Sequence, residues 1–272
     1  MITQKAVSKI LCAAFVVFIG SPILSAANAQ EAAKSIRSLP LDSLDSLDIR
    51  FISEKTEAVK AKADIVTYSG RRALHMITDD STLAAGGPSG GETLAIVNGV
   101  DFADGTIEVD LVGMPRQGSN SQSRGFIGIA FRIQGDSNTA KSENAEFEND
   151  KSEDAKFENV KFENVYLRFT NGRSDDQLRR NHSTQYSSFP DYPWSRLRQE
   201  NPGVYESYVD IEEKAWTKLK VVVSGTKARL YVNNVAQPCL IVNDLKLGES
   251  HGRVALWAGS DTEAYFSNLR IK

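Results

Sequence analysis

Apolar and polar side chains alternate along this chain in short runs, with turn residues between the runs. At 106–112, Ile107, Val109 and Leu111 fall on one side and Glu108 and Asp110 on the other. A period of two with one apolar side marks a β-strand that buries one face. At 125–133 the apolar set is Ile127, Ile129, Phe131 and Ile133, and Gly128, Ala130 and Arg132 form the opposite face. Small residues capped by an arginine suit the floor of a groove, although a glycine there equally accommodates a neighbouring strand. At 166–170, Leu167 and Phe169 point inward while Tyr166, Arg168 and Thr170 point the other way, so Arg132 and Arg168 are expected on one sheet face.

The same reading places strands at 65–68 and 73–77, joined at Ser69-Gly70, and at 93–97, 217–223, 228–232, 240–242, 253–258 and 264–271. Helical periodicity is nearly absent. Pro190, Pro193 and Pro202 exclude a long helix between the strands and leave room for one turn at 175–180. Many short strands separated by turns give an all-β fold class, a two-sheet antiparallel β-sandwich or jelly roll.

Two stretches depart from that pattern. Residues 10–20 form an apolar run too short for a bilayer, preceded by Lys5 and Lys9 and followed by Ala27-Asn28-Ala29. Residues 1–29 therefore read as a signal peptide cleaved near Ala29, which makes the product secreted or periplasmic with no membrane span in the mature chain. Residues 30–48 read as a linker or loose N-terminal segment and 49–272 as one sandwich domain. The second departure is a charged insertion at 136–165, where the pentapeptide KFENV stands twice in tandem at 156–160 and 161–165. Units so short and polar do not make a solenoid, so a solvated loop is expected there.

Charge and cysteine content narrow the chemistry. The net charge is −3, but residues 141–164 carry eight acids against four lysines, which leaves the rest of the chain at +1. Cys239 is the only cysteine beyond the leader, so an intrachain disulfide and a cysteine-rich zinc site are both excluded. The basic patch lies at 166–216, where arginines alternate with aromatics. In an exported protein such a patch suits sugar hydroxyls, uronates or phosphates rather than nucleic acid.

Three segments resemble the concanavalin A-like (laminin-G-like) jelly-roll superfamily. They are FADGTIEV at 102–109 with GFIGIAFR at 125–132, WTKLKVVV at 216–223 with ARLYVN at 228–233, and GRVALW at 252–257 with AYFSNL at 264–269. The resemblance implies a lectin, glucanase or adhesion scaffold. Within the superfamily the chain is most similar to exported bacterial domains related to the 3-keto-disaccharide hydrolases. That likeness implies carbohydrate chemistry on the concave sheet and its rim. The E-x-D-x-x-E strand of the retaining glucanases is missing, because Glu108-Val109-Asp110 runs into Leu111, Val112 and Gly113.

The loops at 171–208 and the adjoining sheet face are thus the expected glycan site. Trp194 and Tyr192 offer flat apolar faces to a pyranose. Arg132, Arg168, Arg173, Arg179 and Arg180, with Asn171 and Gln185, supply donors to oxygen atoms. A hydrolase or lyase is the alternative reading, with His182 as acid or base beside Asp175, Asp176 or Glu206. A third is an envelope adhesion module that binds protein. No cofactor is expected beyond structural calcium, for which Asp101 with Asp104, or Asp175 and Asp176 with Asn171, would be the oxygen donors.

Overall fold

The computed structural model describes residues 37–53, 61–78, 91–119, 121–135 and 160–272. The chain divides into two compact units, Met1–Ser35 and Ile36–Lys272. Every described residue belongs to the second, so the expected leader and the insertion residues 136–159 lie outside them. Among the described residues no helix is long and apolar enough to cross a membrane.

Two antiparallel sheets form the sandwich. The first contains β1 (Arg37–Leu39), β3 (Ala61–Tyr68), β4 (Arg71–Thr78), β6 (Gly105–Pro115), β11 (Thr217–Ser224), β12 (Lys227–Val232), β13 (Leu240–Val242) and β15 (Thr262–Ile271). Its order is β13-β12-β11-β6-β15-β4-β3, with β1 paired to β15. The second contains β2 (Leu47–Ser53), β5 (Gly91–Val97), β7 (Phe126–Gln134), β8 (Lys161–Arg168), β9 (Thr184–Phe189), β10 (Glu206–Ser207) and β14 (Arg253–Gly259). Its order is β10-β9-β8-β7-β14-β5-β2. Among the described residues three short helices, α1 (Phe169–Gly172), α2 (Gln177–Asn181) and α3 (Trp194–Glu200), interrupt the strands on either side of β9.

Alternation explains the layering. Ile107, Val109 and Leu111 of β6 and Leu219, Val221 and Val223 of β11 face Ile127, Ile129 and Phe131 of β7 and Val165 and Leu167 of β8 in one continuous core. Each such side chain contributes about 1.5–3 kcal/mol by leaving water. A second cluster, with Leu94, Ile96, Ala130, Phe162, Tyr166 and Trp257, covers the opposite face of the second sheet. Cys239 is free, and burial pushes its thiol up to about 11, which keeps it protonated and inert.

The structure corrects the expected faces of β7. The β7–β8 register shifts between Phe131 and Gln134, and Arg132 takes a positive φ of 54°. This bulge inserts one residue, so Phe131 stays between the sheets while Ile133 emerges on the far face beside Ala130. Arg132 therefore does not share a face with Arg168. Its guanidinium is 1% exposed and donates to the carbonyls of Ala103 (3.0 Å), Gly248 (2.7 Å) and Gly225 (2.7 Å) and to Asp104 Oδ1 (3.1 Å). Arg132 is a bolt between turns of the two sheets, not the ligand-binding residue expected.

Two boundaries move as well. Arg37–Leu39 already pairs with β15, so part of the lead-in expected to be loose belongs to a sheet. At the other boundary, 161–165 is the first half of β8 rather than solvated insertion. Glu163 is fully buried there, accepting from the Tyr186 hydroxyl (2.6 Å) and the Leu247 amide (2.7 Å), and burial raises its carboxyl above the usual range.

Replacing Arg132 with methionine keeps the volume and takes the donor from three part-buried carbonyls and from Asp104. Urea unfolding of Arg132→Met is expected to show a loss of about 3 kcal/mol or more with an unchanged denaturant slope. An unaltered midpoint would mean that the bolt is dispensable.

Candidate functional site

The outward face of the second sheet carries one continuous row. Through the strand registers, Leu94 pairs with Trp257, Trp257 with Gly128, Gly128 with Tyr166, Tyr166 with Gln185 and Gln185 with Glu206. Gly128 is required at its centre, since a Cβ there would lie 2.1 Å from the Val165 carbonyl and 2.6 Å from the Tyr166 Cα. Its flat surface lets the rings of Tyr166 and Trp257 meet with centroids 4.9 Å apart. The Trp257 indole nitrogen donates to Glu92 Oε2 at 2.8 Å. Burial pushes the Tyr166 phenol above its usual range, so this floor is aromatic and neutral.

Arg168 ends β8 at the edge of that floor and is 4% exposed. Its guanidinium donates to the His182 carbonyl (3.0 Å), the Tyr166 hydroxyl (3.2 Å) and Gln185 Oε1 (3.0 Å). It also lies over three rings, Tyr166 at 5.1 Å, Phe126 at 5.8 Å and Trp194 at 5.8 Å. All three hydrogen-bond acceptors are neutral. Gln185 is held in turn by the carbonyls of Tyr186 and Tyr205, to which its amide nitrogen donates.

From Arg168 the chain makes an excursion through α1 and α2 and returns at Ser183, whose carbonyl accepts from the Arg168 amide at 2.8 Å. Asp176 caps α2 by accepting from the amides of Leu178 and Arg179. Asn171 donates to the same His182 carbonyl as Arg168, so two side chains from the start of the excursion fix the backbone at its end. This carries the His182 imidazole to Glu206, with Nδ1 2.8 Å from Oε2. The approach is off the hydrogen-bond axis, so it is an electrostatic contact rather than an aligned bond.

Glu206, 5% exposed, accepts from Arg198 Nε at 3.0 and 3.1 Å and from Arg198 Nη2 at 2.6 Å. Arg198 belongs to α3, which Leu197 anchors in the core. Trp194 lies one turn earlier on the same helix face, 45% exposed, with the Arg198 guanidinium 4.7 Å from its ring centroid. The ring thus stands half in solvent above Arg168 and Arg198. Desolvation lowers the His182 pKa; Glu206 opposes that shift, and Arg198 and Arg168 reinforce it. The imidazole is neutral near pH 7, and its Nε2 has no partner among the described residues.

Of the expected site residues, the fold gathers Arg168, Asn171, His182, Gln185, Trp194 and Glu206. Arg179 stands nearby, reaching Thr170 Oγ1 at 3.5 Å with its Nε buried and unpartnered. The others are engaged elsewhere. Arg173 is exposed and pairs with Asp210 and Glu212. Arg180 bonds to and stacks on Tyr208. Tyr192 packs against the inter-sheet core with Arg196 over its ring. Asp175 is exposed, and the Asp176 carboxylate is occupied by the α2 amides. Of the pairs considered for calcium, Asp101 meets His251 and Asp104 meets Arg132. Among the described residues no group of three or more His, Cys, Asp or Glu could hold a metal. Sequence reasoning missed Arg198, Tyr166 and Trp257 as site residues. The four-residue spacing of Trp194 and Arg198 was the one available sign of the first.

No family model matches the chain, and no curated protein matches it. Solved structures do. A Bacillus subtilis protein of unknown function with a galectin-like fold aligns over 86% of this chain and 94% of its own, at 10% identity and a TM-score of 0.50. The carbohydrate binding module CBM66 from Bacillus subtilis aligns over 82% and 100%, at 14% identity and 0.44. A Bacillus licheniformis β-glucanase aligns over 87% and 97%, at 9% identity and 0.44. The first of these shows the fold, a galectin-like sandwich of two antiparallel sheets.

The lowered pKa of His182 has a defined sign in a titration. The unfolded chain takes up this proton more readily than the folded one, so the stabilisation is complete above the ordinary histidine pKa of about 6.5. It is lost as pH falls through the lower folded value. In an NMR titration His182 should protonate below pH ~6.5, and in Glu206→Gln lower still, because the one carboxylate that favours the charged ring is gone. A midpoint above the ordinary value in the wild-type protein would contradict the assigned environment.

Proposed function

We propose that this protein binds carbohydrate on the outward face of its second sheet, with Trp194 as the stacking ring. The observation that carries the reading is the half-exposed Trp194 indole, held by an anchored helix and flanked by the Arg168 and Arg198 guanidiniums, with the buried Tyr166 and Gln185 bonded to Arg168 beneath. Fixed aromatic surface with donors at its rim matches a pyranose, which presents C–H groups on its faces and hydroxyls around its edge. Arg168, Gln185 and Arg198 are held by other groups, so little ordering is left for the binding step. Export to the periplasm or beyond, through the leader expected at 1–29, belongs to the same proposal.

One contact favours a second reading as a glycoside hydrolase or lyase. A neutral imidazole beside a buried carboxylate, with Nε2 unengaged, is equipped to take or give a proton. In that reading His182 is the acid or base and Glu206 orients it. Glu206 is favoured over Asp175, which is exposed, and Asp176, which caps α2.

Glycan-array screening followed by calorimetry on the hits tests the first reading. Trp194→Ala should weaken binding by about tenfold or more. Its stability should change by less than about 1 kcal/mol, because the ring is half in solvent. Undiminished affinity in that variant would remove the site from consideration. For the second reading, any bound glycan is incubated with the protein and assayed for new reducing ends or unsaturated products. Turnover lost in His182→Ala with binding retained supports catalysis, and no turnover of any bound glycan by the wild-type protein rules it out.

A further inference from the structure

A guanidinium withdrawn from water needs a counter-charge or a full set of acceptors. Arg132 has both. Arg168 is almost as deeply buried, yet its acceptors are a carbonyl, a phenol and an amide, and no carboxylate pairs with it. Its Nε and one Nη1 hydrogen are also unengaged. Two further cations stand close by. Arg124 is held by the carbonyls of Ser121 and Ser123, and its pKa is lowered first by burial and then by the charge of Arg179, with Arg168 adding to the effect and Asp261 opposing it. Arg179 keeps a buried Nε with no partner.

The carboxylates facing this group offset it only in part. Glu206 is matched by Arg198. Glu92 accepts from the neutral Trp257 indole and keeps its charge. Asp261 acts on Arg124, opposing the lowering of its pKa. Arg198 completes the picture, because it meets Glu206 only through Nε and Nη2. Its Nη1/Nη2 edge, on a side chain one-third exposed and adjoining Trp194, is left as a fork of the width of a second carboxylate.

We infer that the ligand of this face is an acidic saccharide, whose carboxylate sits on the Nη1/Nη2 edge of Arg198 while its ring lies against Trp194. Arg168 beneath, with Arg179 and Arg124 beside it, supplies the positive potential. This rests on the carbohydrate-binding reading of the same site and assigns it a substrate class, the uronate-containing glycans. A sulfated sugar shares the charge and can use the same fork, so the dextran sulfate arm of the test separates the two.

Calorimetry with trimers of galacturonate, glucuronate and mannuronate, each against its methyl ester, tests the inference, with dextran sulfate as a general polyanion and near-UV dichroism as a check on folding. At least one free acid should bind about tenfold or more tightly than its ester. Arg198→Lys should remove most of that difference by replacing the fork with a point charge, and Arg179→Gln should reduce it. Esters or neutral oligosaccharides binding as well as the acids would overturn the acidic assignment and leave carbohydrate binding standing. Dextran sulfate binding as tightly as every trimer, with Arg198→Lys unaffected, would also overturn it in favour of unspecific polyanion attraction. If no oligosaccharide binds, acidic or neutral, the carbohydrate reading fails and this inference with it.

Discussion

The cost of taking a guanidinium out of water governs this molecule at two places. At the β7 bulge the cost is largely met, since Arg132 gathers three carbonyls and the Asp104 carboxylate and so ties Gly225, in a turn of the first sheet, to a strand of the second. At the end of β8 it is met only in part, since Arg168 finds neutral acceptors and aromatic faces but no anion. One arginine closes the sandwich and the other leaves a positive site on its surface. They stand on neighbouring strands, and their different fates come from one inserted residue that turns Arg132 away from the face Arg168 occupies.

The site is assembled from segments that look unrelated along the chain. β8 supplies Tyr166 and Arg168, the helical excursion returns His182, β9 supplies Gln185, α3 supplies Trp194 and Arg198, and β10 supplies Glu206. The links between them are mostly buried, and all but the contact of Glu206 with the imidazole are aligned hydrogen bonds. Arg168 and Asn171 hold the His182 carbonyl, Gln185 bridges Arg168 to the backbone, and Glu206 joins Arg198 to the imidazole. The result is a constellation held on strands and an anchored helix, where rotamers are restrained by packing.

The sandwich itself was legible from alternation, because strands with one buried face must show a period of two. The hairpin at Ser69-Gly70 and the strands around Ile107, Val221, Leu230, Leu256 and Phe266 were found that way. What stayed hidden was polar. β9, with Thr184, Gln185 and Ser188, buries hydroxyls and amides whose partners lie elsewhere in the chain, and a single sequence does not show them. Glu163 and Asn164 hid the start of β8 for the same reason. The bulge that redirected Arg132 leaves no mark on composition either. In the site, His182, Arg168 and Trp194 were readable as residue types without a home. The choice of Glu206 over Asp175 and Asp176 needed the fold, because the first lies on a distant strand and the last is used as a helix cap.

The tandem pentapeptide has a consequence for how β8 finds its alignment. Since 156–160 and 161–165 are identical, sliding the strand by five residues would put Phe157 where Phe162 lies and Val160 where Val165 lies, with no change in the groups presented. The mismatch would begin only at the next three positions, where Lys161, Phe162 and Glu163 would replace Tyr166, Leu167 and Arg168. Opposite Phe126 and Gly128, the sheet would then hold a carboxylate and an ammonium in place of a guanidinium and a phenol. The discrimination between two otherwise degenerate frames therefore falls on the side chains that line the outward face of the second sheet. Tyr166 and Arg168 thus set the frame of the strand as well as the surface on which the proposed ligand would rest.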